Sequence, residues 1–289
     1  MTGSAKTASG VKPGPINSAP LQDAIAAQLA SLAIDPARRE QLGQGLFERV
    51  RCSAEAQMDL TTLRREDGLW MEAFPGLRHR LLRRDAGVCI ELVRLDANVL
   101  ASWPEDALAH EILLLEGSLA LETSGASSET LPRYAHCVRK CGATGRLRAL
   151  DAGALLYVRH QLAGLELLEA REAHWWWMAQ VQSGWTGGPE APWGRVCDGV
   201  AGTALYSEGD VVSGLMRVAP GAAIPDHHHE IDEDCYVLEG DLFFGDILMR
   251  AGDYQKAAAG GQHADCHSDV GAVFYFHGVL PPGISAGAA

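Results

Sequence analysis

The sequence predicts an all-β chain: two barrels in tandem, preceded by a short helical segment. Three observations carry that expectation. From about Leu60 onward the chain breaks into short apolar or alternating runs separated by Gly, Asp and Pro, among them VCIELVRLD (88–96), EILLLEGSLAL (111–121), YVLEGDLFF (236–244) and AVFYFHG (272–278). Runs of this length, punctuated by turn residues, are the pattern of a sandwich or barrel. The chain also repeats itself. FPGLRHRLL (74–82) aligns with CDGVAGTAL (197–205), LVRLDAN (92–98) with LMRVAPG (215–221), and LLEG (114–117) with VLEG (237–240). Gly76 and Gly199, Arg94 and Arg217, and Gly117 and Gly240 each stand 123 positions apart, an ungapped register that implies two copies of one unit. Finally, helical periodicity is confined to about residues 21–52.

The elements follow in order. Residues 1–19 are rich in Gly, Pro, Ser, Ala and Lys and are expected to be a disordered tail. Residues 20–59 form the helical segment: Leu21, Ile25, Leu29 and Leu32 fall at helical spacing, and Asp35-Pro36 is an N-cap followed by proline at the first helical position. The second helix is expected to run to about Cys52, with Leu42, Leu46 and Val50 on one face for packing, a homodimer or another protein partner. The first barrel is placed at 60–182, a linker SGWTGGPEAPWG at 183–194, the second barrel at 195–280 and a tail at 281–289. HWWWM (174–178) is read as packing between the barrels.

Composition excludes several classes. No apolar run approaches twenty residues, so no helical membrane span is expected, and the N-terminus carries no hydrophobic signal segment, so a cytoplasmic location is expected. Seven cysteines without framework spacing fit reduced thiols. A net charge of −13 argues against nucleic acid as a partner. The acidic excess is concentrated: from Ser183 onward there are 4 Lys+Arg against 15 Asp+Glu, in the half that also holds a histidine cluster. Arg78, Arg80, Arg83 and Arg84 form a basic cluster expected to pair with that acidic half or stay solvated, with a phosphate site as the lesser reading.

The run GAAIPDHHHEIDEDCYVLEG (221–240) carries the chemistry. His227 and His229, one residue apart, share a face of an extended strand. Glu233 follows a tight bend, and His263 lies 23 residues past Gly240. Three imidazoles and a carboxylate that converge would hold a borderline divalent metal. His228, Glu230 and Asp232 are read as solvated. Cys235 shares the Glu233 face and Cys266 follows His263 by three; both are read as buried cysteines, with a redox-responsive thiol as the sharper alternative.

This run resembles the first motif of the cupin superfamily at its fixed positions. A second motif is kept in spacing at Gly252, Gly260 and His263, with Ala258 in place of its proline and His267 in place of its asparagine. The resemblance implies two cupin barrels, each a double-stranded β-helix or jelly roll, and metal ligands at His227, His229, Glu233 and His263. It implies one divalent metal per chain, zinc first, with iron, manganese or nickel as alternatives. In the first copy the equivalents of His227 and His229 are Pro104 and Asp106, His110 stands for Glu233, and an insertion (124–145) replaces the later motif, so that metal site is read as lost. Asp106, His110, His136, Cys137 and Cys141 are the residues for any different site there.

The helix at 36–52 followed by TTLRREDGLWMEAFPGLRHRLL (61–82) further resembles the linker and cupin of ChrR-type anti-sigma proteins. That implies a sensor or regulatory protein responsive to a small molecule or an oxidant. Residues 1–60 contain no His and one Cys, Cys52, so they cannot build the His/Cys zinc module with which those proteins bind sigma factors. The alternative is a non-haem metal-dependent dioxygenase acting on a small diketone or flavonol-like substrate. Whether the chain is an enzyme stays open at this level.

Overall fold

The computed structural model describes residues 18–279 except 31, 33, 86, 102–106, 123–128, 141–145, 163–192 and 209. The expected tails, most of the linker, the HWWWM stretch, Pro104, Asp106 and Cys141 therefore lie outside the described residues. What is described is predominantly antiparallel β with two helices among those residues, α1 (Ser18–Ala30) and α2 (Pro36–Ala56). Asp35 caps α2 as its sequence requires, its carboxylate accepting from the amides of Ala37 and Arg38. The helices pack on each other, with Leu29 against Gly43, and α2 buries no residue.

The chain then does something the repeat did not indicate. Strand β1 (Leu60–Leu63) precedes the first barrel in sequence but joins the sheet of the second, pairing Leu60 with Ala257 through Leu63 with Tyr254. Residues 60–63 thus belong structurally to the second barrel, although the sequence reading started the first barrel there. The strand at 254–257 pairs on its other side with residues 233–236, so the arm covers what would otherwise be an open edge. Asp253 holds the arm in place, accepting from the Arg65 amide at 2.8 Å and pairing with the Arg64 guanidinium at 3.0 Å.

The first barrel is built from β2 (Met71–Phe74), β3 (Leu77–Asp85), β4 (Val88–Leu95), β5 (Ala107–Glu122), β6 (Glu129–Leu131), β7 (His136–Lys140) and β8 (Arg146–Leu162). They run in the order β2-β3-β4-β8-β5-β6, with β7 also on β5. The second contains β9 (Gly194–Cys197), β10 (Val200–Glu208), β11 (Val211–Val218), β12 (Ala223–Ile224), β13 (His227–His228), β14 (Glu233–Phe244), β15 (Ile247–Arg250), β16 (Tyr254–Ala257), β17 (Gln262–His263), β18 (Cys266–His267) and β19 (Ala272–Val279). Its main sheet is ordered β1-β16-β14-β19-β11-β10-β9, with β13 and β17 as a separate pair.

The repeat is visible in backbone packing. Gly117 and Gly240 both adopt positive φ, 80° and 73°. A Cβ at either would lie 2.1 or 1.9 Å from the carbonyl oxygen of Gly153 or Gly271, so only glycine fits. Strand alternation sorts the side chains. Ile112, Leu114, Leu156 and Val158 fill the first barrel, and Val237, Leu242, Met249 and Phe274 fill the second. The opposite faces meet in a third core between the barrels, where Leu113, Leu115 and Tyr157 pack with Tyr236, Leu238 and Tyr275. Tyr157 sits 5.0 Å from the Tyr275 ring and 5.6 Å from Tyr236. Charge reinforces the seam: Arg83 of the first barrel pairs with Asp232 and Asp234 of the second, as the basic cluster led one to expect.

Candidate metal centre

The four residues singled out in sequence come together at one end of the second barrel. His227 opens β13 and His229 follows its end, Glu233 opens β14, and His263 closes β17, directly opposite His227 in the β13–β17 pairing. One donor atom from each lies within 4.8 Å of all the others. The carboxylate is central: its oxygens lie 3.5 Å from His229 Nδ1 and 3.5 Å from His263 Nδ1. The three rings lie edge-on to one another, with centroids 4.5 to 5.4 Å apart. Backbone bonds fix the loops: the His229 amide donates to the Gly261 carbonyl, and the Gly260 amide donates to the His229 carbonyl. Gly260 is at φ 82°, a conformation that suits its glycine.

Hydrogen bonds also set the ring tautomers. The Gln255 amide nitrogen donates to Thr62 Oγ1 at 3.0 Å, which leaves Gln255 Oε1 as an acceptor for His263 Nε2 at 3.1 Å. His263 therefore carries its proton on Nε2 and turns the Nδ1 lone pair to the centre. His227 donates Nδ1–H to the Pro225 carbonyl at 2.9 Å and keeps its Nε2 lone pair. Thr62 belongs to β1, so the crossed N-terminal arm supports this centre from behind. Two nitrogens, His229 Nε2 and His263 Nδ1, are buried with no hydrogen-bond partner. Each of these two rings also lies 3.5 Å from the Glu233 carboxylate, and their unpaired nitrogens are donors that a divalent ion would satisfy, so the residues fit one.

Electrostatics agree with that fit. Burial pushes the His263 imidazole down to about 3, against the pull of Glu233, so the ring is neutral and able to ligate. Burial works against a charge on Glu233, yet its contact with His229 and the neighbouring imidazoles hold its carboxyl below the usual range. His227 is half-buried and the other three are buried, so the centre meets solvent on the His227 side. Cys235 and Cys266 are both buried in the interior of this barrel, and burial raises both thiols. His267 stacks on Phe243 at 4.8 Å and takes no part in the cluster. Asp232, read as solvated, is an ion-pair partner of Arg83 and Lys256.

The first barrel has a different interior. His110, the counterpart of Glu233, shares a 2.8 Å contact between Nδ1 atoms with His160, whose Nε2 lies 2.9 Å from Glu91; His79 lies 2.8 Å from the other Glu91 oxygen. His136 does not join His110. It projects from the opposite face and bonds buried Glu111 at 2.7 Å, while Cys137 packs in the interior core. Strand alternation thus sets His136 apart from His110 and Cys137, while Asp106 and Cys141 lie outside the described residues. Sequence reasoning missed Glu91, Glu111 and His160, since none stands at a spacing that marks a site and only sheet pairing brings each to a partner.

Residues 188–281 match the family model of the ChrR cupin-like domain. This cupin domain is therefore the second barrel, with its four converging donors. Solved structures extend the likeness to both barrels. A Pseudomonas aeruginosa protein provisionally described as glyoxylate induced shares 16% identity at a TM-score of 0.60, over 77% of this chain and 89% of that one. A Nostoc punctiforme protein provisionally described as a dioxygenase shares 15% at 0.59, over 80% and 87%. Bacillus subtilis oxalate decarboxylase, an enzyme with Mn(II) centres, shares 16% at 0.50, over 75% and 76%. At such identities the likeness shows the fold, a bicupin. No curated protein sequence matches the chain. No helix among the described residues is long and apolar enough to cross a membrane.

Proposed function

We propose that the second cupin domain holds one divalent metal on His227, His229, Glu233 and His263, and that the chain is a ChrR-like regulatory protein answering to a small molecule or an oxidant. The observation that carries the metal reading is the convergence of four donors around two orphaned buried nitrogens. Zinc is the first candidate, because three imidazoles and one carboxylate suit a borderline ion. The bound ion would supply Lewis acidity, and iron or manganese would add a one-electron couple. The chain's own residues do the rest. Gln255 and Pro225 orient two of the rings. Gly278 leaves room for the Glu233 carboxylate, since a Cβ there would stand 2.9 Å from it. The half-buried His227 leaves one side through which a ligand reaches the centre.

That solvent-facing side also favours a second reading, a non-haem dioxygenase, since catalysis needs an open position beside the ligands. One set of measurements separates the two. Metal analysis of protein purified without added metal should give about one ion per chain, lost in the His227→Ala, His229→Ala double variant. Full retention of metal by that variant refutes the site. A four-coordinate zinc centre without bound water, and no oxygen uptake by the Fe(II)-loaded protein with β-diketones or flavonols, supports the regulatory reading; uptake supports the enzyme.

A further inference from the structure

We propose a second ligand site, for a small oxyanion, in the seam between the barrels and apart from the metal centre. A cavity of about 150 Å³ opens there, walled by Arg65, Arg80, Arg94 and Arg133 with Trp70 beside them and Leu92 and Leu238 behind. Glu116 is the acidic residue on its wall. Arg133 is committed to Glu239 at 3.1 Å. Among the described residues, Arg65, Arg80 and Arg94 have no carboxylate within ion-pair distance, in a chain whose net charge is −13.

Arg80 makes this more than a basic surface. It lies on β3 opposite Leu92, facing the inter-barrel core, and is only 4% exposed. One of its terminal nitrogens donates to the Arg65 carbonyl, and its Nε is buried with no partner. A guanidinium buried without a counter-charge is costly, and a bound anion relieves that cost. Arg80 and Arg94 also sit 5.5 and 5.3 Å from the Trp70 ring centroid, which holds both guanidinium groups at the cavity. Planar forks suit oxygen acceptors with two or more oxygens, so the ligand class is a small dicarboxylate or a phosphate. The cavity volume admits a molecule of that size and little more.

The test is calorimetric titration of the full chain with succinate, with inorganic phosphate, and with chloride as the control. Saturable binding of either oxyanion at millimolar concentration, and none of chloride, is expected; which one binds identifies the class. The Arg65→Ala, Arg94→Ala double variant, altered only at exposed positions, should bind at least about tenfold more weakly. Arg80→Met should lose binding while its anion-free thermal midpoint stays level or rises, because a buried unpaired charge has been removed. The His227→Ala, His229→Ala variant should bind the anion as the wild type does, which separates this site from the metal reading. No saturable binding, wild-type binding by the Arg65/Arg94 variant, or loss of anion binding together with the metal would each overturn the proposal.

Discussion

Arg83→Ala should cost the protein about 3 kcal/mol, and the structure says why. The side chain leaves β3 of the first barrel and ends among carboxylates of both barrels. Its terminal nitrogens lie 2.8 Å from Asp234 and 2.5 Å from Asp232, and its Nε lies 2.6 Å from Asp85. Asp234 is fully buried and the Arg83 side chain is 9% exposed. With Arg83 gone, Asp234 keeps the Tyr254 hydroxyl and, 3.8 Å away, Arg159. Breaking one side of a buried pair costs roughly 3–5 kcal/mol, because the remaining charge is stranded. The lower end applies here, since Asp85 and Asp232 are about a third exposed and recover water. In urea, with a slope near 3 kcal/mol/M, the midpoint should fall by about 1 M. Arg83→Lys should recover only part, as an ammonium cannot serve three carboxylates in one plane. In an Asp234→Asn background the same substitution should cost less than about half as much. A loss under about 0.5 kcal/mol, or an equal loss in both backgrounds, would show that the pair does not hold the barrels together.

Three further outcomes follow from other contacts. Gln255→Leu removes the acceptor that fixes the His263 tautomer, so chelator competition should show metal affinity about 10- to 100-fold weaker with the fold retained; unchanged affinity would remove Gln255 from the supporting shell. Gly240→Ala places a Cβ 1.9 Å from the Gly271 carbonyl oxygen at positive φ, and thermal unfolding should show a loss of more than about 2 kcal/mol. Glu111 gives an acid limb. Burial raises its carboxyl, but bonds from His136 and the approach of His277, with the Tyr275 hydroxyl also facing it, leave it well below the usual range. A depressed carboxyl stabilises the fold fully above its unfolded value of about 4.3, and that stability is lost as pH falls toward the lower folded value. Stability should therefore drop steeply below about pH 4, and Glu111→Gln should flatten that limb in urea titrations at several pH values.

The sequence by itself determined the class of fold and the donor set. Turn residues at fixed intervals and a 123-residue register are local, additive signals, and they marked two barrels without any three-dimensional information. Spacing placed His227 and His229 on one side of a strand with Glu233 and His263 as further candidate donors, and the motif resemblance implied all four as ligands; the structure brings one donor atom of each within 4.8 Å of the others. Asp35-Pro36 likewise dictated where α2 begins, because a cap acts over one turn. Only the tertiary structure decided the rest. Leu60–Leu63 sit next to the first barrel in sequence yet complete the second, because an unpaired strand edge accepts any extended segment that reaches it, and sequence adjacency does not say which edge that is. The basic cluster at 78–84 was visible as composition, but alternation and docking divided it: Arg83 went to buried Asp234, and Arg80 to a cavity where no carboxylate lies within ion-pair distance of it. Glu91, Glu111 and His160 were silent in sequence because no local spacing links any of them to a partner. The partner of each stands on another strand or in the other barrel, a pairing set by long-range register that no local pattern encodes.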